Sequence, residues 1–269
     1  MAYKDLLQSG FPASPSEIRR FFIVTSTGEP FQLAATLLSN DARNFGLRSA
    51  IIDITDLREQ LSPVSDILGP ALFYFLTNSP EISSIIPGLL STGHTVINAE
   101  FYALRLSKPL VQNFLRARGW RVPDLIYPVS AEDLAHQDVT QRLSFPLYIK
   151  SVRHHHFARE VHTAQALAHT VDSINLSDDF YLEAAVSSDH TELRRFYVVG
   201  DAVHDSAGLV RDIGLCYYAS TLGRALGLDV YSFEAFVGST TPICIDVNPA
   251  SALYVSEQAR ARLCERALA

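Results

Sequence analysis

The chain has 269 residues, and 48% of them are hydrophobic, so it can bury one large core or two of moderate size. Its formal net charge of −7 argues against nucleic-acid or anionic-membrane partners, because both require clustered Lys and Arg. The start lacks the apolar segment of a secretory signal, and Pro70, Asn78 and Pro80 interrupt the most apolar stretch. Three widely spaced cysteines fit reduced thiols. We therefore expect a cytoplasmic protein.

Strands and helices alternate through the first hundred residues. Pro12 and Pro15 indicate a short arm before Arg20. A strand, a helix and a second strand then follow within about 35 residues, which is typical of a βαβ unit with parallel strands and a right-handed crossover. Residues 20–98 are thus predicted to form one doubly wound lobe. Its predicted strands are 19–27, 47–55, 71–78 and 94–98, and its predicted helices are 32–44 and 85–91.

The pattern changes from Glu100 onward. Apolar residues at helical spacing predict one helix from Glu100 to about Arg118, because Gly119 and Pro123 follow. A smaller α+β unit comes next, and the last third ends in a helix after Pro249. The predicted strands are 124–129, 145–152, 180–186, two within 193–208, and two near the carboxyl end; the predicted helices are 131–137, 161–169 and 217–226.

The two strands near the carboxyl end each carry an acid, in the stretch VYSFEAFVGSTTPICIDVN. Strand interiors usually exclude lone carboxylates. In a hairpin centred on Thr240, Glu234 and Asp246 become cross-strand neighbours, and Asn248 lies on the same face. Two carboxylates and a carboxamide oxygen suit a hard divalent cation such as Mg²⁺. The alternative is a solvent-facing hairpin whose acids are hydrated.

Four earlier motifs place further charged residues in a fixed order. KPLVQNFLRARGWRVP begins with Lys108, FPLYIK ends at Lys150, FYLEAAV contains Glu183, and ELRRFYVVGD contains Arg195. Each motif alone is weak, since Lys108 could be a solvated helix residue, Lys150 a snorkelling residue at a strand end, and Arg195 part of a surface ion pair. Their order and spacing, with the closing acid, eleven residues, acid-x-Asn pattern, resemble the ATP-grasp superfamily and in particular its RimK-like branch of ribosomal-protein-S6-modifying ligases. The resemblance covers essentially the whole chain.

The resemblance implies an α/β chain with α+β lobes, namely an ATP-grasp fold behind a doubly wound N-terminal lobe. The implied ranges are 1–99 for the N-terminal lobe, 100–186 for the central subdomain and 187–269 for the C-terminal subdomain. The implied cofactors are ATP and Mg²⁺ or Mn²⁺. The implied site residues are Lys108, Lys150 and His156 for phosphates, Glu183 and Val186 for adenine, Arg195 and Arg211 for the transferring phosphoryl group, and Glu234, Asp246 and Asn248 for metal.

Three features depart from the family pattern. The loop after Lys150 reads SVRHHHFAREVH and has no glycine, so side chains such as His156 would have to cover phosphates, or the loop would receive an anionic substrate. A zinc site or a plain solvated loop are the alternatives there. Glu234 and Asp246 exchange the usual order of Asp and Glu. The N-terminal lobe has no obvious substrate-binding Arg near TNSPE.

Three functions follow from this resemblance. The first is an ATP-dependent carboxylate–amine ligase, which forms an amide or peptide bond through an acylphosphate and releases ADP and phosphate. Its substrates would be small-molecule or peptide carboxylates and amines, and a homodimer is an expected assembly. The second is a small-molecule kinase of the inositol-polyphosphate type, which releases no phosphate. The third is a degenerate nucleotide-binding partner protein.

Overall fold

The computed structural model describes residues 20–26, 29–59, 70–77, 79, 81–129, 142–152, 158–173, 180–186, 192–238, 241–250 and 256–268. The predicted N-terminal arm, the helix predicted over 131–137 and the loop that contains His156 lie outside these residues.

Contacts divide the chain into two compact units. Unit 1 comprises Met1–Arg105, Arg195–Phe233 and Asn248–Ala269, and unit 2 comprises Leu106–Arg194 and Glu234–Val247. The family resemblance implies three continuous ranges instead of these two discontinuous units, and that division stays a prediction.

The first sheet of unit 1 is parallel, as the sequence predicts. Its strands lie in the order β2-β1-β3-β4, with Phe21 of β1 aligned to Ser49 on one side and Leu72 on the other. Strand β3 is buried along its whole length, which explains its unbroken apolar sequence LFYF. The elements are β1 (Arg20–Thr25), α1 (Glu29–Asn44), β2 (Arg48–Asp53), α2 (Ile54–Glu59), β3 (Leu72–Phe75), α3 (Ile82–Ser91), β4 (Thr95–Val96) and α4 (Ala99–Leu104).

The last third of the chain adds a second sheet, with the strand order β11-β10-β9-β12-β13. The boundaries between the two units fall within β9, β12 and β13. In unit 1, α8 packs against α1, where Arg260 donates to Asp41 at 2.5 Å. The elements are β9 (Glu192–Val199), β10 (Ala202–Asp205), β11 (Gly208–Leu209), α7 (Ile213–Leu226), β12 (Val230–Val237), β13 (Ile243–Asn248) and α8 (Glu257–Leu268).

A buried asparagine connects three segments of unit 1. Asn98 is 4% exposed and has a left-handed backbone with φ 61°. Its Nδ2 donates to the carbonyls of Val230 at 2.5 Å and Pro249 at 3.0 Å. Its Oδ1 accepts from the amides of Asp229 at 2.8 Å and Val230 at 3.0 Å. This side chain therefore fixes the start of β12 and the end of the segment that carries Asn248.

Unit 2 contains an antiparallel sheet in the order β5-β8-β6-β7. Alternation puts Leu147, Ile149 and Leu182 into a core with α6, while Lys150 and Glu183 point to the opposite face. The elements are α5 (Lys108–Ala117), β5 (Leu125–Val129), β6 (Leu147–Ser151), β7 (Ala158–Val161), α6 (Ala164–Ser173) and β8 (Phe180–Ala184).

The helix predicted from Glu100 to Arg118 is wrong, because the structure has two helices there. Arg105 adopts a left-handed conformation with φ 51°, Ser107 is extended, and α5 begins at Lys108. Pro109 explains the break. Inside one long helix its ring would clash with the carbonyl four residues earlier, whereas the first turn of a new helix tolerates it.

The helix predicted over 161–169 is also displaced. Val161 ends β7, a strand that the sequence analysis missed, and α6 runs from Ala164 to Ser173. Thr163 provides the local reason, since its Oγ1 accepts from the amide of Ala166 at 3.1 Å and caps the helix. Among the described helices, none is both long enough and apolar enough to cross a membrane.

Candidate functional site

The sheet of unit 2 pairs Lys150 with Glu183. Tyr148 lies opposite Glu183 and Lys150 lies opposite Tyr181, so Lys150 and Glu183 are diagonal neighbours on one face. The Lys150 Nζ forms an ion pair with Glu183 Oε1. The Glu183 side chain is only 3% exposed, and Lys150 compensates its charge.

Helix α5 supplies the second lysine. Lys108 is the first residue of α5, and its Nζ lies 2.9 Å from Asp246 Oδ1 and 3.0 Å from Oδ2. Both side chains are about one quarter to one third exposed, at 26% and 30%. The structure thus brings together a predicted phosphate-binding lysine and a predicted metal-binding acid that lie far apart in the sequence.

Gln112 is a residue of the candidate site that the sequence alone did not indicate. It lies one helical turn after Lys108 on α5 and is 5% exposed. Its Nε2 donates to Glu183 Oε2 at 2.8 Å and to the carbonyl of Ile245 at 2.9 Å. The available signal was a polar residue in the apolar stripe formed with Val111 and Leu115.

The carboxylates of unit 2 raise the pKa values of two buried side chains nearby. Burial raises the pKa of the Cys244 thiol, and the negative charges of Asp246, Glu183 and Glu234 raise it further. Burial likewise raises the pKa of Tyr181, with smaller contributions from Glu183 and Asp246. All three acids therefore lie near enough to the Cys244 thiol to act on it electrostatically.

The remaining predicted residues are placed as follows. Val186 is half-buried just after β8 in unit 2. Arg195 and Arg211 are exposed and belong to unit 1. Asn248 also belongs to unit 1, and its Oδ1 accepts from the amide of Ala250 at 3.1 Å. The predicted roles of these residues stay predictions, as does the role of His156, which lies outside the described residues.

The donor set of unit 2 fits a metal-bound nucleotide. Two ammonium groups suit phosphate oxygens, and the carboxylates of Glu234 and Asp246 suit Mg²⁺. Within the described ranges, no group of three or more His, Cys, Asp and Glu side chains is arranged to hold a metal ion. A cation held by these two acids would therefore take further ligands from phosphate and water, which is usual for Mg²⁺.

Comparison with known proteins shows similarity in structure alone. No family model matches the sequence, and no curated protein sequence matches it. A RimK-domain ATP-grasp protein from Sphaerobacter thermophilus is similar in structure, with a TM-score of 0.71 and 16% identity. The match covers 93% of this chain and 100% of that protein.

Two ligases are similar over comparable lengths. D-alanine–D-alanine ligase from Bacillus anthracis has a TM-score of 0.67 and 14% identity, over 93% of this chain and 95% of the ligase. The ATP-grasp ligase PsnB, in a complex with a precursor variant, Mg and ADP, has a TM-score of 0.66 and 14% identity. That match covers 92% of this chain and 97% of PsnB. PsnB is also known in a complex with its precursor peptide and AMPPNP. The chain therefore has the ATP-grasp fold.

Proposed function

We propose that this chain is an ATP-dependent carboxylate–amine ligase. The observation that carries the proposal is the contact between Lys108 and Asp246, 2.9 Å apart, because it joins the predicted phosphate and metal positions in one unit. The three carboxylates that raise the pKa of Cys244 support it. The ATP-grasp ligases that share the fold make ligation the reaction class to test first.

In this proposal, the chain's own residues bind and orient the nucleotide and the metal ion. Lys108 and Lys150 hold phosphate oxygens, and Glu234, Asp246 and Asn248 hold Mg²⁺ or Mn²⁺. Glu183 and Val186 flank the adenine, His156 covers phosphates, and Arg195 and Arg211 stabilise the phosphoryl group. ATP would supply the phosphoryl group that activates a carboxylate for attack by an amine, with ADP and phosphate as products, and the metal would neutralise charge on the phosphates.

The substrates proposed for the chain are small-molecule or peptide carboxylates and amines. D-alanine–D-alanine ligase and the PsnB complex with its precursor peptide represent these two classes among proteins with the same fold. A homodimer is the proposed assembly, and sedimentation of the purified protein tests it.

The test is to incubate the protein with γ-labelled ATP, Mg²⁺ and pools of amino acids and short peptides. A ligase forms ADP and free phosphate only when both a carboxylate and an amine are present. Label transferred to an acceptor without free phosphate would instead identify a kinase. Nucleotide binding without turnover in any pool would identify a binding protein. Either of these two results contradicts ligation.

A further inference from the structure

Helix α5 presents one face to the acids of unit 2. Lys108, Val111, Gln112 and Leu115 follow the i, i+3, i+4, i+7 spacing of a single helix face. Together with Cys244, Asp246 and Val247 they line a small cavity. A polar residue within this buried stripe is unusual, because an apolar side chain would pack there without needing hydrogen bonds.

The contacts of Gln112 fix the orientation of its amide. Both Nε2 hydrogens are used, one by Glu183 Oε2 at 2.8 Å and one by the Ile245 carbonyl at 2.9 Å. The reversed amide would place its oxygen against a carboxylate and a carbonyl, which is repulsive. Gln112 Oε1 is buried without a hydrogen-bond partner in the described part of the chain. The side chain is therefore arranged for its two donor contacts.

These two contacts connect both ion pairs. Glu183 uses one oxygen for Gln112 and the other for Lys150, so the amide fixes the rotation of the carboxylate that holds the lysine. Ile245 precedes Asp246, which holds Lys108. One buried amide thus links β8 to β13, and both strands carry a carboxylate partner of a lysine.

We infer that Gln112 is a positioning residue: it fixes the Glu183 carboxylate, and through it the Lys150 ammonium, relative to the strand that carries Asp246. This inference rests on the proposed function, because it assigns Lys150 to phosphate binding. A fixed ammonium binds phosphate more tightly, since less side-chain freedom is lost on binding.

The chain itself provides a ligand-free readout. It contains only three lysines, Lys4, Lys108 and Lys150, so acetylation of each can be followed by peptide mass spectrometry. Gln112→Met keeps the size and apolar packing of the side chain but removes both donors. Asn113→Ala is the matched control, because Asn113 is the next residue of α5 and is half-buried.

Ligand-free protein should show Lys150 acetylated about fivefold faster in Gln112→Met than in wild type, relative to Lys4, and unchanged in Asn113→Ala. Titration with ADP and Mg²⁺ should show about tenfold weaker binding for Gln112→Met. In a Lys150→Met background, Gln112→Met should cause no further loss, because the residue through which it acts is gone. Circular dichroism checks that each variant is folded.

Four results would overturn the inference. Unchanged acetylation of Lys150 in Gln112→Met shows that the amide does not fix the lysine. Equal losses of ADP affinity with and without Lys150 show a general structural effect. Wild-type protein that binds ADP as tightly as Gln112→Met overturns this inference alone, whereas wild-type protein that binds no ADP overturns the proposed function as well.

Discussion

Lys150 and Glu183 form the most buried ion pair of the candidate site. Their side chains are 19% and 3% exposed. Removing one partner of such a pair leaves a charge without compensation in a poorly hydrated place. The stability of unit 2 and the proposed phosphate binding thus depend on the same lysine.

Lys150→Met should lower the free energy of unfolding by about 2–3 kcal/mol, less than for a fully buried pair because Lys150 keeps some solvent contact. Adding Glu183→Gln removes the uncompensated charge, so the double variant should regain part of this loss. Urea denaturation of the two single variants and the double variant measures the effect. A double variant less stable than Lys150→Met would contradict this electrostatic interpretation.

His204 provides a test of pH dependence in unit 1. Burial lowers its pKa and Arg262 lowers it further, while Gln258 and Asp205 act in the opposite direction. The folded protein thus binds a proton less readily than the unfolded chain, whose His pKa is about 6.5. Stability from this residue is complete above that pH and decreases as the pH falls through about 6.5.

His204→Gln removes this titration. The stability advantage of wild type over His204→Gln should therefore shrink as the pH falls from about 7.5 to about 5.5. Only the wild type is destabilised by protonation of this histidine in the unfolded state. Urea denaturation at several pH values measures it. Parallel pH profiles for the two proteins would show that His204 makes no such contribution.

At the scale of elements, the Asn98 side chain connects the residue before α4 with the start of β12 and with Pro249. Asn98→Ala removes four hydrogen bonds and leaves buried backbone groups unsatisfied. It also places alanine at φ 61°, a left-handed conformation that asparagine tolerates better because its side chain can form local hydrogen bonds. Asn98→Gly removes the same bonds but tolerates the backbone. We expect losses of about 3 and about 2 kcal/mol in urea denaturation, respectively. Equal stability of wild type and Asn98→Gly would contradict the role of the side chain.

Element boundaries were predictable where the burial pattern was clear, and they were harder to predict at helix ends. The strands that carry Lys150 and Glu183 were predicted near their observed bounds, since burial alternates along the first and is continuous along the second. The start of α5 was missed because its helical spacing continues through Arg105 and only Pro109 marks the break. Strand β7 was missed because three of its four residues are exposed, so no apolar run identifies it.

At the scale of the whole molecule, the order of motifs predicted the ATP-grasp fold, and the structural similarities confirm it. Within unit 2, the sequence predicted the charged residues and a cross-strand pairing of Glu234 with Asp246, but not the partners of the two lysines. The pairing of Lys108 with Asp246 and of Gln112 with Glu183 depends on contacts between residues far apart in the chain. No local pattern encodes such contacts, so only the structure could identify them.

The proposed function requires that unit 2 carries a metal-dependent nucleotide site at Asp246. Its most direct test is calorimetric titration with ADP, with and without Mg²⁺, of wild type, Asp246→Asn and the control Asp124→Asn, whose side chain is 78% exposed. We predict that Mg²⁺ strengthens ADP binding in wild type and in the control, and that Asp246→Asn reduces this gain at least about tenfold. Equal ADP affinity in all three proteins, with no effect of Mg²⁺, would contradict the account.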